Sequence, residues 1–330
     1  MEPRFHIEGT EKFGYSIFNR YRFSYYIYMN TVQRICKLYH YASVNDLKGY
    51  VAHFCDIRLK SFCTFFKVIT EHKDYVTANY ILRMLGDCVS VFHLVYMEPD
   101  KVLRLLRHCL YVLDGCERNL VVLPENSIMS GLPEEEQNQA NDLIRINREH
   151  RKRMMREAQE LLDHSPLKQK DEKAFNRIVE DRNWKFKEFK DYNKKRIKEN
   201  QYQWRDLYEQ IDYSGDYDLI SYLSQYAHGL SMSNLVVQLD EQNCDGIIGE
   251  ALGLLDRMNQ YVLEYFEEEN LYILLGLFDP DIRDKILSCY DEQHRPTIAE
   301  WEKSFGFESM DYSTFLEENR KLMAGFARQT

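Results

Sequence analysis

The chain has 330 residues, of which 44% are hydrophobic and 14% aromatic, so it can bury a substantial core without disulfides or metal ions. Its formal net charge of −10 excludes a general binder of nucleic acid or anionic membrane, which needs a positive field over its whole surface, but leaves room for a local basic patch. The 14 glycines and 7 prolines supply too few turns for a β-sandwich or barrel, which favours long helices.

The first helix is predicted from helical periodicity over residues 13–40, in an unusually aromatic segment that indicates a largely buried element. A second helix follows the segment SVND, in which Ser43 and Asp46 have the spacing of a capping box. A third is expected over about 75–97. These elements contribute the first half of a helical core.

The fourth helix is expected to open at Pro99 and to end near Gly115, because proline favours the first turn of a helix and glycine its end. Residues 124–135 form a loop. Between residues 134 and 210 the apolar residues thin out and charge rises, with a break only at Ser165 and Pro166. This middle third predicts two long, mostly solvated helices.

The apolar pattern returns after residue 211 and continues through further helices to the end of the chain. We therefore predict an all-α fold, a multi-helix bundle with a charged helical arm inserted in the middle. The predicted divisions are an N-terminal half of the core (1–125), the arm (126–210), and a C-terminal half with terminal wrapping helices (211–330).

The compartment is predicted from the cysteines and the N-terminus. The eight cysteines form no CxxC pair, and several lie in apolar runs, where a reduced thiol packs as a small hydrophobic group. The N-terminal sequence MEPRFHIEGTEK has no apolar signal core, and no window resembles a membrane span. The sequence therefore predicts a cytoplasmic protein that does not bind membranes.

Arg83 and Asp87 stand four residues apart in a markedly apolar helix. A buried charge is costly unless it is paired, and this spacing lets the two charges compensate each other. One interpretation is a structural ion pair. The other is a guanidinium that Asp87 holds so that its outer edge can bind a phosphate or carboxylate.

His228 lies on a polar face of the helix predicted for 217–232, and Ser224 lies four residues before it. The serine hydroxyl could bond the imidazole, fix its tautomer and leave the other nitrogen free to act as a base. The alternative is a structural histidine that bridges two helices. The spacing alone is compatible with both roles.

The fourth predicted helix carries further candidate binding residues. Arg104, Arg107 and His108 lie within one and a half turns, and Asp114 follows near the predicted helix end. Arg104 and His108 share a helix face. If this face meets the Arg83 and His228 sites, the folded chain has one pocket lined by arginine, histidine and aspartate.

Three segments carry a family resemblance: ILRMLGDCVSVFHLVY (81–96), YVLDGCERN (111–119) and YDLISYLSQYAHGLS (217–231). They resemble an uncharacterised family of bacterial all-helical proteins, a domain of unknown function, through an arginine helix with an acid four residues on and a later Leu-Ser-x-Tyr-x-His helix. Such proteins are similar to the helical nucleases and nucleotide-binding domains called HEPN, which occur in phage defence. No arginine occupies positions 221–223, where the HEPN motif places one ahead of its histidine.

The resemblance implies roles for four candidate catalytic residues. It implies a metal-independent ribonuclease in which His228 activates the 2′-hydroxyl or contacts phosphate, and Ser224 orients His228. Arg83 would neutralise phosphate, and Asp87 would hold Arg83. A non-catalytic helical interaction or scaffold protein, in which the same residues form a buried polar network, is the alternative function.

The stretch 168–198 holds twelve Lys or Arg against six Asp or Glu inside an acidic protein. Aromatic residues interleave with these cations, as in grooves that track a phosphate backbone and stack bases; they are Phe175, Trp184, Phe186, Phe189 and Tyr192. The stretch is therefore a candidate contact for RNA or a nucleotide. The alternative is a solvated helix with an aromatic inner face.

Several chemistries are excluded by the absence of their motifs. The sequence contains no GxGxxG, GxxxxGK[ST], HExxH or GxSxG motif, and no cysteine and histidine pairs at zinc spacing. It therefore predicts no cofactor and no metal ion. A protein partner and a homo-oligomer are both compatible with the sequence.

Overall fold

The computed structural model describes residues 11–14, 16–122, 133–190, 192–194, 196–211, 219–227, 241–305, 314, 317 and 319–322. Within these ranges the regular structure is helical and no β-strand occurs, so the all-α prediction is confirmed. No helix in the same ranges combines the length and apolar character needed to cross a membrane.

The helices are α1 (Ile17–Leu38), α2 (Leu47–Thr70), α3 (Tyr75–Tyr96), α4 (Lys101–Val122), α5 (Glu134–Asp163), α6 (Pro166–Lys170), α7 (Glu172–Glu180), α8 (Trp204–Gln210), α9 (Leu219–Ala227), α10 (Glu241–Tyr265), α11 (Asn270–Leu275), α12 (Pro280–Leu287) and α13 (Ile298–Ser304). The chain divides into two compact units. The first unit comprises 1–41, 51–92 and 208–330, and the second comprises 42–50 and 93–207.

Helix α1 is the central element of the first unit. It begins where the Ser16 hydroxyl accepts a hydrogen bond from the Asn19 amide at 3.3 Å, and it ends at Tyr39, which is extended. Its strongest packing is against α10, with further contacts to α11 and α12. The buried face is aromatic, and the Tyr21 ring stacks on Phe66 at 4.9 Å between centroids.

The start of α2 and both ends of α4 differ from the sequence prediction. Helix α4 begins at Lys101, where the Asp100 carboxylate accepts the Val102 amide at 2.8 Å, and not at Pro99. The Asp46 carboxylate accepts the Gly49 amide at 2.9 Å, so Asp46 caps α2 and the predicted cap at Ser43 is wrong. The predicted end of α4 at Gly115 is also wrong, because the helix continues to Val122. A glycine costs a helix only about 1 kcal/mol relative to alanine, which the packing of α4 on α5 outweighs.

The second unit contains the packed pair α4 and α5, and α5 fulfils the prediction of one long charged helix. The second long helix predicted for this region is wrong. Helix α7 ends at Glu180, and Arg182 then takes a positive φ of 48°, which stops helical propagation. The Arg182 side chain bonds the Glu117 carboxylate at 2.8 and 2.9 Å, which fixes this turn.

The two units differ in charge. The first has 19 Lys and Arg against 31 Asp and Glu, a net charge of −12, whereas the second has 24 against 22, a net charge of +2. The acidity of the whole chain therefore resides in the first unit. The second unit, with its slightly positive net charge, is therefore better suited than the first to carry a surface that binds a polyanion.

Candidate functional site

The first unit contains the Arg83–Asp87 ion pair on α3, as the four-residue spacing predicts. The guanidinium Nη1 of Arg83 donates to the Tyr208 hydroxyl at 2.6 Å, and that hydroxyl lies 3.1 Å from the Asp87 carboxylate, to which it can donate. The side chains of Arg83 and Asp87 are 13% and 30% exposed, so the pair is largely withdrawn from water. Tyr208 therefore completes a three-residue polar network.

Gly86 makes this network possible. A Cβ atom at this position would overlap the Tyr208 hydroxyl and lie 2.8 Å from the ring Cζ. Burial raises the pKa of Tyr208 to about 12, and Arg83 opposes that shift. Tyr208 is thus a neutral phenol near pH 7, which holds the ion pair by hydrogen bonding and does not act as a base.

The predicted Ser–His pair is only partly within the described residues. Ser224 is half-buried on α9, where Leu223 and Tyr226 are buried and Tyr222 is exposed. His228 lies outside the described residues. The hydrogen bond between Ser224 and His228 therefore stays a prediction.

Arg107 is buried in the second unit, with its side chain only 4% exposed. Its Nη1 donates to the Trp184 and Phe186 carbonyls at 3.1 and 2.9 Å, its Nε lies 3.4 Å from the Glu98 carboxylate, and its guanidinium stacks on the Phe186 ring at 4.0 Å. Burial lowers the pKa of Arg107, and Glu98 opposes that shift. The guanidinium joins α4 to the chain segment that follows α7.

His108 is completely buried in the same unit. Its Nε2 lies 3.0 Å from the Val44 carbonyl, so Nε2 carries the proton, and Nδ1 can accept from the Tyr96 hydroxyl at 3.2 Å. The Tyr50 ring packs edge-on at 4.7 Å. Burial lowers the pKa of His108 to about 4, so the imidazole is neutral at pH 7 and has a structural function.

The other two candidate binding residues also have protein partners. The Arg104 Nε donates to the Glu98 carbonyl at 2.8 Å. The Asp114 carboxylate accepts the Trp184 indole N–H at 3.2 Å and an Arg118 N–H at 2.7 Å. Arg104 and Asp114 therefore contribute to the same structural framework as Arg107.

The candidate residues are divided between the two units. Arg83, Asp87 and Ser224 belong to the first unit, whereas the four candidate binding residues on α4 belong to the second. Sequence analysis missed Tyr208 as the third member of the Arg83 network. No local pattern reveals it, because Tyr208 is 125 residues from Arg83.

The aromatic residues of 168–198 form part of the core of the second unit. All five rings named from the sequence are between 1% and 9% exposed, so none is available to stack on a base. The charged side chains that the structure describes in the same stretch are half-buried or exposed. This outcome agrees with the alternative of an aromatic inner face, although the element is a short helix followed by irregular chain.

A short antiparallel pairing, here called the Phe186 hairpin, joins residues 185–188 to 199–202 at the bridge between Phe186 and Gln201. The Tyr202 amide donates to the Lys185 carbonyl at 2.8 Å, and the Lys187 amide donates to the Asn200 carbonyl at 3.1 Å. Phe186 is buried against Arg107, while its neighbours Lys185 and Lys187 leave the core on the other side.

Partly exposed aromatic rings accompany these two lysines. The Lys185 ammonium lies 5.0 Å from the centre of the Trp204 ring, and the Lys187 ammonium lies 5.5 Å from that of Tyr202. Burial lowers the pKa of Lys185, with Asp114 opposing. Sequence analysis missed Tyr202 and Trp204 because they follow the basic stretch, although the segment YQWR (202–205) continues its aromatic and basic pattern.

No protein-family model, curated protein or solved structure matches this chain. Among the described residues, no group of three or more His, Cys, Asp or Glu side chains could hold a metal ion. All eight cysteines are free thiols. The HEPN-like resemblance therefore stays a prediction. Support for a function has to come from the structure of each unit.

Proposed function

We propose that this protein binds RNA through the exposed cations of residues 168–198. The supporting observation is the surface charge of that stretch: among its described residues, the exposed charged side chains are seven cations and three glutamates. Because the aromatic rings pack inward, cations dominate the outer surface. The exposed cations are Lys170, Lys173, Lys187, Lys190, Lys194, Arg196 and Lys198.

Helix α5 carries exposed cations in the same unit, interspersed with a larger number of exposed acids. Arg145, Lys152, Arg153 and Arg156 are exposed along it. Arg145 and Lys152 form surface ion pairs at 3.0 and 3.4 Å with acids on the same helix. Such exposed pairs are worth only about 0–1 kcal/mol each, so a phosphate can compete for the cations.

The proposal predicts a large loss of RNA affinity when the charge of this surface is reversed. Each phosphate that a cation neutralises releases counterions. A variant with four of these cations changed to glutamate should therefore bind a single-stranded RNA at least roughly 100-fold more weakly near 0.1 M salt. The slope of log affinity against log salt should become shallower by about 0.7 for each phosphate that is no longer neutralised. Fluorescence anisotropy with a labelled oligonucleotide measures both. The substitutions are Lys173→Glu, Lys190→Glu, Arg196→Glu and Lys198→Glu.

A matched control separates a local surface from overall charge. Four exposed lysines of the first unit, changed to glutamate together, alter the net charge by the same amount and should leave the affinity within about threefold of wild type. Equal losses in both variants would contradict a dedicated surface. The control substitutions are Lys67→Glu, Lys73→Glu, Lys285→Glu and Lys303→Glu.

The family resemblance extends the proposal to a metal-independent ribonuclease of cytoplasmic phage defence. The purified protein should then cleave total cellular RNA in the presence of EDTA, and His228→Ala should slow cleavage by at least about 100-fold, as loss of a general base does. Gel electrophoresis of labelled RNA measures the rate. Arg83→Gln should also slow it, because Arg83 is the proposed phosphate ligand.

His72→Ala is the matched histidine control, since His72 is exposed in the first unit. Its cleavage rate should equal that of the wild type, and circular dichroism should show that all three variants are folded. Binding of RNA without cleavage by the wild-type protein would reject the ribonuclease and leave the binding proposal intact.

A non-catalytic helical interaction protein is the second candidate function. Two observations favour it: the Nε and Nη1 atoms of Arg107 contact a carboxylate and two carbonyls of the protein, and His108 is neutral and fully enclosed. These residues give the second unit a specific packing arrangement and require no ligand. Failure of the wild-type protein to bind any RNA would favour this function.

A further inference from the structure

The Phe186 hairpin presents alternating cations and aromatic rings on one side. Lys185 lies near both Trp184 and Trp204, at 5.6 and 5.0 Å, and Lys187 lies near Tyr202 at 5.5 Å. Trp184 is only 7% exposed and belongs to the core. We call the remaining four residues, Lys185, Lys187, Tyr202 and Trp204, the cation–aromatic face.

We propose that the cation–aromatic face binds unpaired nucleotides of single-stranded RNA, with its two rings stacking on bases and its two ammonium groups contacting phosphates. This inference rests on the proposed RNA-binding function and specifies the form of RNA. Aromatic stacking requires an accessible base face, which a single strand offers and the interior of a duplex does not. Each ammonium group lies over its ring, which places a cation for a phosphate next to a ring for a base.

The local acids permit this ligand. Asp206 lies 3.5 Å from the Lys187 ammonium, and the exposed fractions of these two side chains are 35% and 40%, so a phosphate can replace this weak ion pair. Asp114 lies near Lys185 but is already engaged by Arg118 at 2.7 Å. The exposed charge of the adjoining stretch is mainly positive, which favours a strand with a phosphate at every residue.

The hairpin also keeps the rings in place without a ligand. The Asn200 side chain donates to the Glu188 carbonyl at 2.9 Å and accepts the Glu188 amide at 3.0 Å, which fixes the two segments beyond the bridge. Arg107 fixes the base of the hairpin from the core side. A preorganised surface of this kind loses little conformational entropy when it binds.

The experiment compares a fluorescein-labelled twelve-nucleotide uridine oligomer with a blunt RNA duplex that has the same number of phosphates. The wild-type protein should bind the oligomer at least about tenfold more tightly than the duplex. Tyr202→Leu and Trp204→Leu should each weaken oligomer binding by roughly 5- to 150-fold and leave duplex binding unchanged. The oligomer should also quench tryptophan fluorescence, and Trp204→Leu should remove most of the quenching.

Tyr80→Leu is the matched tyrosine control, because Tyr80 is 54% exposed in the first unit, and it should bind the oligomer like wild type. Tyr202→Leu keeps the test informative if Trp204→Leu fails to fold. Equal affinity for the oligomer and the duplex, unaffected by either substitution, would overturn the cation–aromatic face, while weaker binding on charge reversal would still support RNA binding. No binding of either RNA would reject both proposals.

Discussion

Replacing Arg107 with alanine is expected to lower the free energy of unfolding of the second unit by about 3–5 kcal/mol. The substitution leaves the Glu98 carboxylate, which is 17% exposed, without its cation, and it leaves the Trp184 and Phe186 carbonyls without their donor. Burying an unpaired charge and two unsatisfied acceptors costs more than removal of the favourable hydrogen bonds alone.

Urea unfolding followed by tryptophan fluorescence measures this effect, because Trp184 lies beside Arg107 and reports on the second unit. The control is Arg118→Ala, which removes an arginine that is 80% exposed and should change the free energy by less than about 0.5 kcal/mol. A change below about 1 kcal/mol in Arg107→Ala would show that Arg107 is dispensable for packing. It would then become a stronger candidate for ligand binding.

Lowering the pH from 7.5 to 5.0 is expected to cost the second unit about 2 kcal/mol of stability through His108 alone. The buried imidazole has a folded pKa of about 4, below the unfolded value of about 6.5. A histidine with a depressed folded pKa contributes stability above its unfolded pKa, and that contribution is lost as the pH falls from about 6.5 towards 4. In the unfolded chain the imidazole binds a proton that the folded site excludes.

Urea unfolding at a series of pH values between 7.5 and 5.0 measures this linkage. His108→Gln retains an N–H donor for the Val44 carbonyl but cannot titrate, so its stability should vary less with pH by about 2 kcal/mol over that range. His164→Gln, in which an exposed histidine is replaced, should keep the wild-type dependence. Identical pH profiles for wild type and His108→Gln would contradict a neutral, buried His108.

The long helices α1 to α5 were predictable because their periodicity is local. The i,i+4 spacing also correctly paired Arg83 with Asp87. Their partner Tyr208 was not predictable, since only the tertiary fold brings α8 to α3. Gly115 led to a wrong prediction, because its local preference for a helix end is outweighed by the packing of α4 on α5.

The region after α7 was less predictable, because its structure depends on side chains with distant partners. No periodic pattern in the sequence indicates the positive φ of Arg182 or its bond to Glu117. The same is true of the bonds between Asn200 and Glu188. Interleaved cations and rings therefore predicted a helix or a stacking groove where the chain forms a hairpin on an aromatic core. The rings point inward and the cations outward because the rings are buried. A single sequence does not show which side chains are buried in a segment without regular periodicity.

The single bridge of the Phe186 hairpin has a consequence for the native-state dynamics of the protein. With so few backbone bonds of its own, the hairpin depends on side chains, among them Arg107 and Asn200, and weakening these attachments would let it detach while α4 and α5 stay helical. The amide of Tyr202 should then exchange with deuterium through a local opening rather than through global unfolding. The hairpin would behave as a separate cooperative unit. Its opening equilibrium would set the fraction of molecules in which its outer surface is formed.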